Sequence, residues 1–390
     1  MASQKKHLEH AAFSKNAIFV YSDRQSTHSL GEFHPMQPVR HRHTFELLKE
    51  SRIFDAPNVS ILAPKLASQE ELLRFHDREY IDVLQGFGTS SNVPNASSFG
   101  LGIGDNPIYP GLYEANALST GGTLVATQAV LSGGSSVAFS VAGGLHHALP
   151  TRASGFCVFN DPVIAIIGLV EHGLRVAYID VDCHHGDGVQ LAFYDDNRVL
   201  TISLHESGDF LFPGTGSTRE IGVDDGEGFS INIPFAPYTT DSVYLDTFDA
   251  LVPQIVTAFA PDVLFTQLGI DTHFSDPITH MNLTTQGFRS IVERLSTLSA
   301  DINCKWIGTG GGGYGLSAVA RGWSMGFSVM AGFKLPHTIP NSFTALPDMG
   351  TFEDSNPPQV SMDLEAKIRS YANRSVENIS KTILPRFGIA

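Results

Sequence analysis

The chain has 390 residues, of which 42% are hydrophobic and 17% charged, so it can bury a sizeable globular core. Its net charge of −15 argues against a nucleic-acid-binding surface and suits cationic substrates such as amines, or simply solubility. No apolar run reaches the roughly 20 residues of a membrane span, and no signal-peptide core follows Lys5 and Lys6. Cys157, Cys183 and Cys304 show no CxxC spacing, which fits free thiols in a reducing compartment, hence a cytoplasmic protein without membrane or nucleic-acid partners.

In chain order, apolar runs of strand length lie at 17–21, 59–62, 137–141, 176–179, 199–204, 229–234, 263–268 and 305–308. Most are unbroken rather than alternating, as in strands covered on both faces. Helical segments are expected at 38–50, 69–85, 112–131, 162–172, 242–259 and 286–298, with Asp161-Pro162 marking one start. This alternation predicts a parallel sheet wrapped by helices. Nothing between 14 and 335 reads as a linker, so one catalytic domain is expected there. Residues 336–390 form an extension: a Pro/Ser-rich stretch followed by a terminal helix at 363–383, packed on the domain.

Reactive residues gather just after the strands. Asp180, Asp182, His184, His185 and Asp187 fall within eight residues at the end of one run. Alternate residues of a strand share a side, so Asp180, Asp182 and His184 can face together. Asp271 follows another run, and with Asp182 and His184 it completes a set of two carboxylates and one imidazole. That donor set suits Zn²⁺ better than Ca²⁺ and leaves a position for water. His146 and His147 follow Gly143-Gly144, with Asp180 and Asp187 available to orient them for acid–base work. Gly310-Gly311-Gly312-Gly313-Tyr314 lacks the Lys-Ser/Thr of a phosphate loop. It reads better as a flexible backbone carrying a tyrosine that can steady an oxyanion. Gly155, Phe156 and Phe212 are candidates for apolar walls. His185, His205, His273 and His280 receive no chemical role from their spacing.

These motifs together resemble the zinc-dependent histone deacetylase family, of the bacterial acetoin-utilization and class I-like lysine deacetylase type. They are Gly143-Gly144-Leu145-His146-His147, Gly155-Phe156-Cys157 with Asn160-Asp161, the Asp180–Gly188 run, Ser203-Leu204-His205, Phe212-Pro213-Gly214, Gln267-Leu268-Gly269-Ile270-Asp271 and Gly310–Tyr314. The resemblance implies the arginase/deacetylase α/β fold, with an eight-stranded parallel sheet and helices on both faces. It implies metal ligands Asp182, His184 and Asp271, a His146–Asp180 pair, His147 as general base and acid with Asp187 as its partner, and Tyr314 as the carbonyl-polarising group. Gly155, Phe156 and Phe212 would line an acyl-lysine tunnel, with Ile278 and Asp105 at its rim and Arg40 in a product-release channel.

Zn²⁺ is the implied ion, with Fe²⁺ as the alternative. Structural K⁺ would bind at Asp180, Asp182, His184, Ser203 and Leu204, and at a second site formed by Phe193, Asp196, Val199 and Phe229. Leu145 stands where many eukaryotic members carry tryptophan, and Ile278 where some polyamine-specific members use an acid. The implied activity is hydrolysis of acetylated, or otherwise acylated, lysine in proteins or peptides. An acetylpolyamine amidohydrolase and a non-catalytic acyl-lysine binder are the alternatives, and homo-oligomerisation is left open.

Overall fold

A computed structural model of the chain describes residues 16–87, 95–102, 104–346 and 349–389. Ser14, the expected start of the catalytic domain, and the lysines near the N-terminus lie outside the described residues. Eight strands are present among the described residues: β1 Ala17–Val20, β2 Val59–Leu62, β3 Val137–Ser140, β4 Val176–Asp180, β5 Val199–Glu206, β6 Ser230–Phe235, β7 Val263–Gln267 and β8 Lys305–Thr309. They form one all-parallel sheet in the order β2-β1-β3-β8-β7-β4-β5-β6. The helices are α1 Val39–Glu50, α2 Gln69–Leu72, α3 Arg78–Gly86, α4 Leu112–Leu131, α5 Asp161–Glu171, α6 Asp187–Ala192, α7 Asp241–Phe259, α8 Thr285–Asp301, α9 Leu316–Ala331 and α10 Met362–Thr382.

The unbroken apolar runs form strands because both faces of the sheet are covered. In β4, Ala177 and Ile179 enter one core with α7, α8 and α9, while Val176 and Tyr178 enter the opposite core with α4 and α5. The same alternation places Phe19 on the first side and Ile18 and Val20 on the second. Two expected features differ. The 69–85 segment is broken between α2 and α3, where the backbone N–H of Asp77 donates to Pro150 O at 2.9 Å. Helices α6 and α9 lie outside the expected helical segments. Helix α10 docks on α7 and β6, burying Ile368, Ala372 and Ile379. Among the described residues no helix is long and apolar enough to cross a membrane.

Candidate active site

The chemistry-bearing loops leave the carboxyl ends of β3, β8, β7 and β4, four strands that lie side by side at the centre of the sheet. Parallel α/β sheets place their ligand sites at that end. Asp182 and His184 follow β4, Asp271 follows β7, the paired histidines follow β3 and Tyr314 follows β8.

One donor atom from each of Asp182, His184 and Asp271 lies within 4.8 Å of the others, and all three residues are buried. His184 Nδ1 stands 3.1 Å from Asp182 Oδ1 and 2.8 Å from Asp271 Oδ2. The remaining oxygens are held from behind. Asp182 Oδ2 accepts from Gln267 Nε2 at 2.6 Å and from Gly312 N at 2.7 Å, and Asp271 Oδ1 accepts from Cys183 N at 2.7 Å. Such outer partners orient ligands toward a metal. Burial, and then the neighbouring Asp182, push the Asp271 carboxyl up to about 8. A divalent cation relieves this repulsion between like charges, so the donor set fits one. Gly312 must be glycine here: a Cβ would sit 2.3 Å from Asp271 Oδ2 and 2.7 Å from Asp182 Oδ2.

His146 Nδ1 bonds Asp180 Oδ2 at 2.7 Å, and His147 Nδ1 bonds Asp187 Oδ1 at 2.7 Å. The two Nε2 atoms stand 3.0 Å apart, so the charge on one ring acts strongly on the other. Burial opposes a charge on either ring, yet the carboxylates of Asp180 and Asp182 hold His146 up at about 9. His147 is lowered to about 4 by burial and then by its cationic neighbour. His147 is therefore the neutral ring, and it is the one that faces the cleft beside His184.

The cleft has a volume of about 680 Å³, and Asp105, Gly155, Phe156, Phe212, Ile278 and Tyr314 all contribute to its lining. Gly155 (φ 50°) and Phe156 (φ 68°) are the central residues of a tight turn closed by two hydrogen bonds between Ser154 and Cys157. Both central residues have φ > 0, as a type I′ turn requires. A Cβ on Gly155 would meet the His147 ring at 2.5 Å. Phe212 packs edge-on against His147 (centroids 5.0 Å) and Phe156 against Tyr314 (5.6 Å). Thus the two walls rest on His147 and Tyr314. The Tyr314 hydroxyl is pushed well above its usual pKa by burial, so it keeps its proton. Its glycine run is closely tied in this structure: Gly312 N bonds Asp182, Gly312 O accepts from Ile270 N, and Gly313 O accepts from Arg40 Nη1 at 2.7 Å. Arg40 is buried, and with His28, His41 and Leu145 it lines a small inner cavity behind the tyrosine.

Around Asp180, Ser203 Oγ accepts from Gly186 N at 3.4 Å, and Leu204 is buried in the neighbouring strand. The carbonyls of Phe193 and Asp196 accept from Asp196 N and Val199 N within one turn, while that of Phe229 accepts from Thr201 N. His185 bonds Thr215 and Gln190 and belongs to the scaffold.

The sequence did not expose the clamps. Asn160 Nδ2 donates to the carbonyls of His146 and Ala148, both at 3.0 Å. Asp161 accepts from Gly144 N and Leu145 N, both at 2.9 Å. Asp276 accepts from Tyr314 N at 2.8 Å. These side chains act on backbone groups, which leave no spacing signature.

A buried Asp-His-Asp set with the donors of a metal site, beside two His–Asp pairs at the carboxyl end of an eight-stranded parallel sheet, fits a metal-dependent hydrolase. Residues 34–330 match the histone deacetylase domain. The acetoin utilization protein AcuC of Bacillus subtilis (strain 168) is 40% identical over 331 residues, covering 84% of this chain and 85% of that protein. Type-1 histone deacetylase 1 of Dictyostelium discoideum is 35% identical over 330 residues, covering 84% of this chain and 65% of that protein. A solved structure of an HDAC homologue complexed with SAHA superposes with a TM-score of 0.81 at 27% identity, covering 93% of this chain and all of that one. The chain belongs to the histone deacetylase family, and it is a hydrolytic deacetylase with the arginase/deacetylase fold.

Proposed function

We propose that the enzyme removes acetyl, or other acyl, groups from the ε-amine of lysine in peptides or proteins. One observation carries this reading: His147 and Tyr314 sit at the base of a cleft whose aromatic walls, Phe212 and Phe156, rest directly on them. Walls of this kind fit an unbranched aliphatic stem with an acyl amide at its tip. Asp182, His184 and Asp271 would hold the metal. When bound, Zn²⁺, or Fe²⁺ in its place, supplies Lewis-acid polarisation of the acyl carbonyl and lowers the pKa of water.

The chain's own residues supply the rest. Neutral His147 takes the proton of the attacking water at Nε2 and returns it to the departing amine. Asp187 keeps that ring oriented through Nδ1, while His146, charged and paired with Asp180, keeps His147 a proton acceptor. Tyr314 O–H donates to the developing oxyanion. Phe156 and Phe212 exclude bulk water, and exposed Asp105 receives a backbone N–H of the substrate at the rim. Arg40 accompanies the carboxylate product along the inner cavity. Structural K⁺ would bind through oxygens of Asp180, Asp182, His184, Ser203 and Leu204, and at Phe193, Asp196, Val199 and Phe229.

Turnover of acyl-lysine peptides and acetylated polyamines by zinc-loaded protein tests the substrate class. Hydrolysis of the peptide is expected to exceed that of N-acetylputrescine and to vanish with a chelator; the reverse preference establishes the polyamine reading. Tyr314→Phe is expected to lose on the order of 10² to 10³ in kcat with zinc still bound. A near-parental rate removes the hydroxyl from the mechanism.

A further inference from the structure

Beyond residue 330, where the family match ends, the chain returns to the catalytic end of the sheet. Phe352 is buried in a cluster with Leu47, Ala320 and Met325. Two residues on, Asp354 turns its carboxylate inward. Its Oδ2 accepts from His273 Nε2 at 2.9 Å, Thr285 N at 2.8 Å and Thr285 Oγ1 at 3.0 Å, and its Oδ1 accepts from Arg321 Nη1 at 2.8 Å. The backbone is also held on both sides, with Asp354 N donating to Gln286 Oε1 and Asp354 O accepting from Gln286 Nε2.

His273 stands two residues after the ligand Asp271. Its Nδ1 accepts from Ser275 N at 3.2 Å, so the proton sits on Nε2 and points at Asp354. The loop then folds back on itself. Asp276 N donates to His273 O at 2.8 Å, and the Asp276 carboxylate accepts from Tyr314 N at 2.8 Å and Ile278 N at 3.1 Å. An unbroken chain of bonds thus runs from Asp354 through His273 and Asp276 to Tyr314, and Asp271 lies two residues before its His273.

We propose that Asp354 is a positioning residue that fixes the 271–278 loop and so aims the Asp271 carboxylate and the Tyr314 hydroxyl. The segment that follows the family domain is then part of the catalytic apparatus. This inference rests on the roles given above to Asp271 and Tyr314.

The test compares full-length Asp354→Ala and Asp354→Asn with Asp246→Ala. The last removes the 2.6 Å Arg369–Asp246 pair that fastens α10 to α7 and has no path to the site. Asp354→Ala is expected to lose about tenfold or more in kcat, with KM for an acetyl-lysine peptide within about twofold. The affinity of its apoprotein for Zn²⁺, read by chelator competition, should fall about tenfold. Asp354→Asn keeps an oxygen for His273 and Thr285, so it should stay within about threefold of the parent in both readouts. Asp246→Ala should match the parent.

Parental kcat and zinc affinity in Asp354→Ala overturn the proposal. So does an equal loss in Asp246→Ala, which reports general loosening, or an equal loss in Asp354→Asn, which reports only the Arg321 charge pair. If the alanine variant does not fold, Asp354→Ser, whose hydroxyl still takes the Thr285 N–H, replaces it with the same expected losses. Tyr314→Phe is assayed alongside: at parental rate it removes the underlying assignment, whereas a crippled Tyr314→Phe beside a parental Asp354→Ala overturns this inference alone.

Discussion

At the scale of single residues, the paired histidines show how identical side chains acquire different tasks. Adjacent in sequence and 3.0 Å apart at Nε2, they are separated by charge: His146 faces Asp180 and Asp182, whereas His147 faces one carboxylate and a cation. Removing the cation should let the His147 pKa rise from about 4 toward its ordinary value. The acidic limb of kcat/KM in His146→Ala should therefore move to higher pH, even as the rate falls. A pH–rate profile of parent and variant checks this, and an unmoved limb contradicts the division of labour. Most of the candidate site was legible in the sequence, because the proposed ligands and acid–base groups are side chains at recognisable spacing after strands. The partners that aim them were not. Gln267 and Asp161 lie within motifs that the sequence displays, but a role exerted on a backbone N–H or on a neighbour's second oxygen becomes visible only in three dimensions.

Among the elements, legibility followed burial pattern. All eight strands lie at the expected apolar runs; all but one of those runs are buried almost throughout, and the exception is the edge strand β2, where only Val59 is buried. Helix α9 starts two residues after Tyr314, directly behind the glycine run, and carries Gly322 and Gly326 in its interior, where glycine weakens the helical signal of the pattern. The split between α2 and α3 escaped for a tertiary reason. His76, at the break, accepts from Asn160 N at 3.0 Å through Nε2 and lies 3.1 Å from Leu149 O through Nδ1. It thereby staples the far end of the loop carrying the paired histidines.

Burial lowers His76 to about 4, against 6.5 in an unfolded chain. The folded state then binds fewer protons than the unfolded state between these values. Its contribution to stability is complete above pH 6.5 and is lost as pH falls toward 4. The stability deficit of His76→Gln relative to the parent should accordingly shrink by up to about 1.4 kcal/mol per pH unit across that window. Urea unfolding of both proteins at pH 7.5 and pH 5 measures the difference, and a constant deficit shows that the ring is not held neutral.

For the molecule as a whole, the strand order carries a consequence for how the protein is made. Strand β8 pairs with β3 on one side and β7 on the other, and it is the last strand in the chain. Until it is synthesised, the sheet is two separate pieces, β2-β1-β3 and β7-β4-β5-β6. The paired histidines belong to the first piece and the proposed metal ligands to the second, so the candidate site spans a seam that β8 closes. A chain stopped after Asp301 holds every proposed reactive residue except Tyr314, yet leaves β3 and β7 with bare inner edges prone to intermolecular pairing. Such a chain should appear in the insoluble fraction or as a protease-sensitive species; a soluble, protease-resistant product would show that the halves join without β8. Synthesis on the ribosome therefore sets its keystone late: both inner edges need shelter until residues 305–309, about four-fifths of the way along the chain, have emerged.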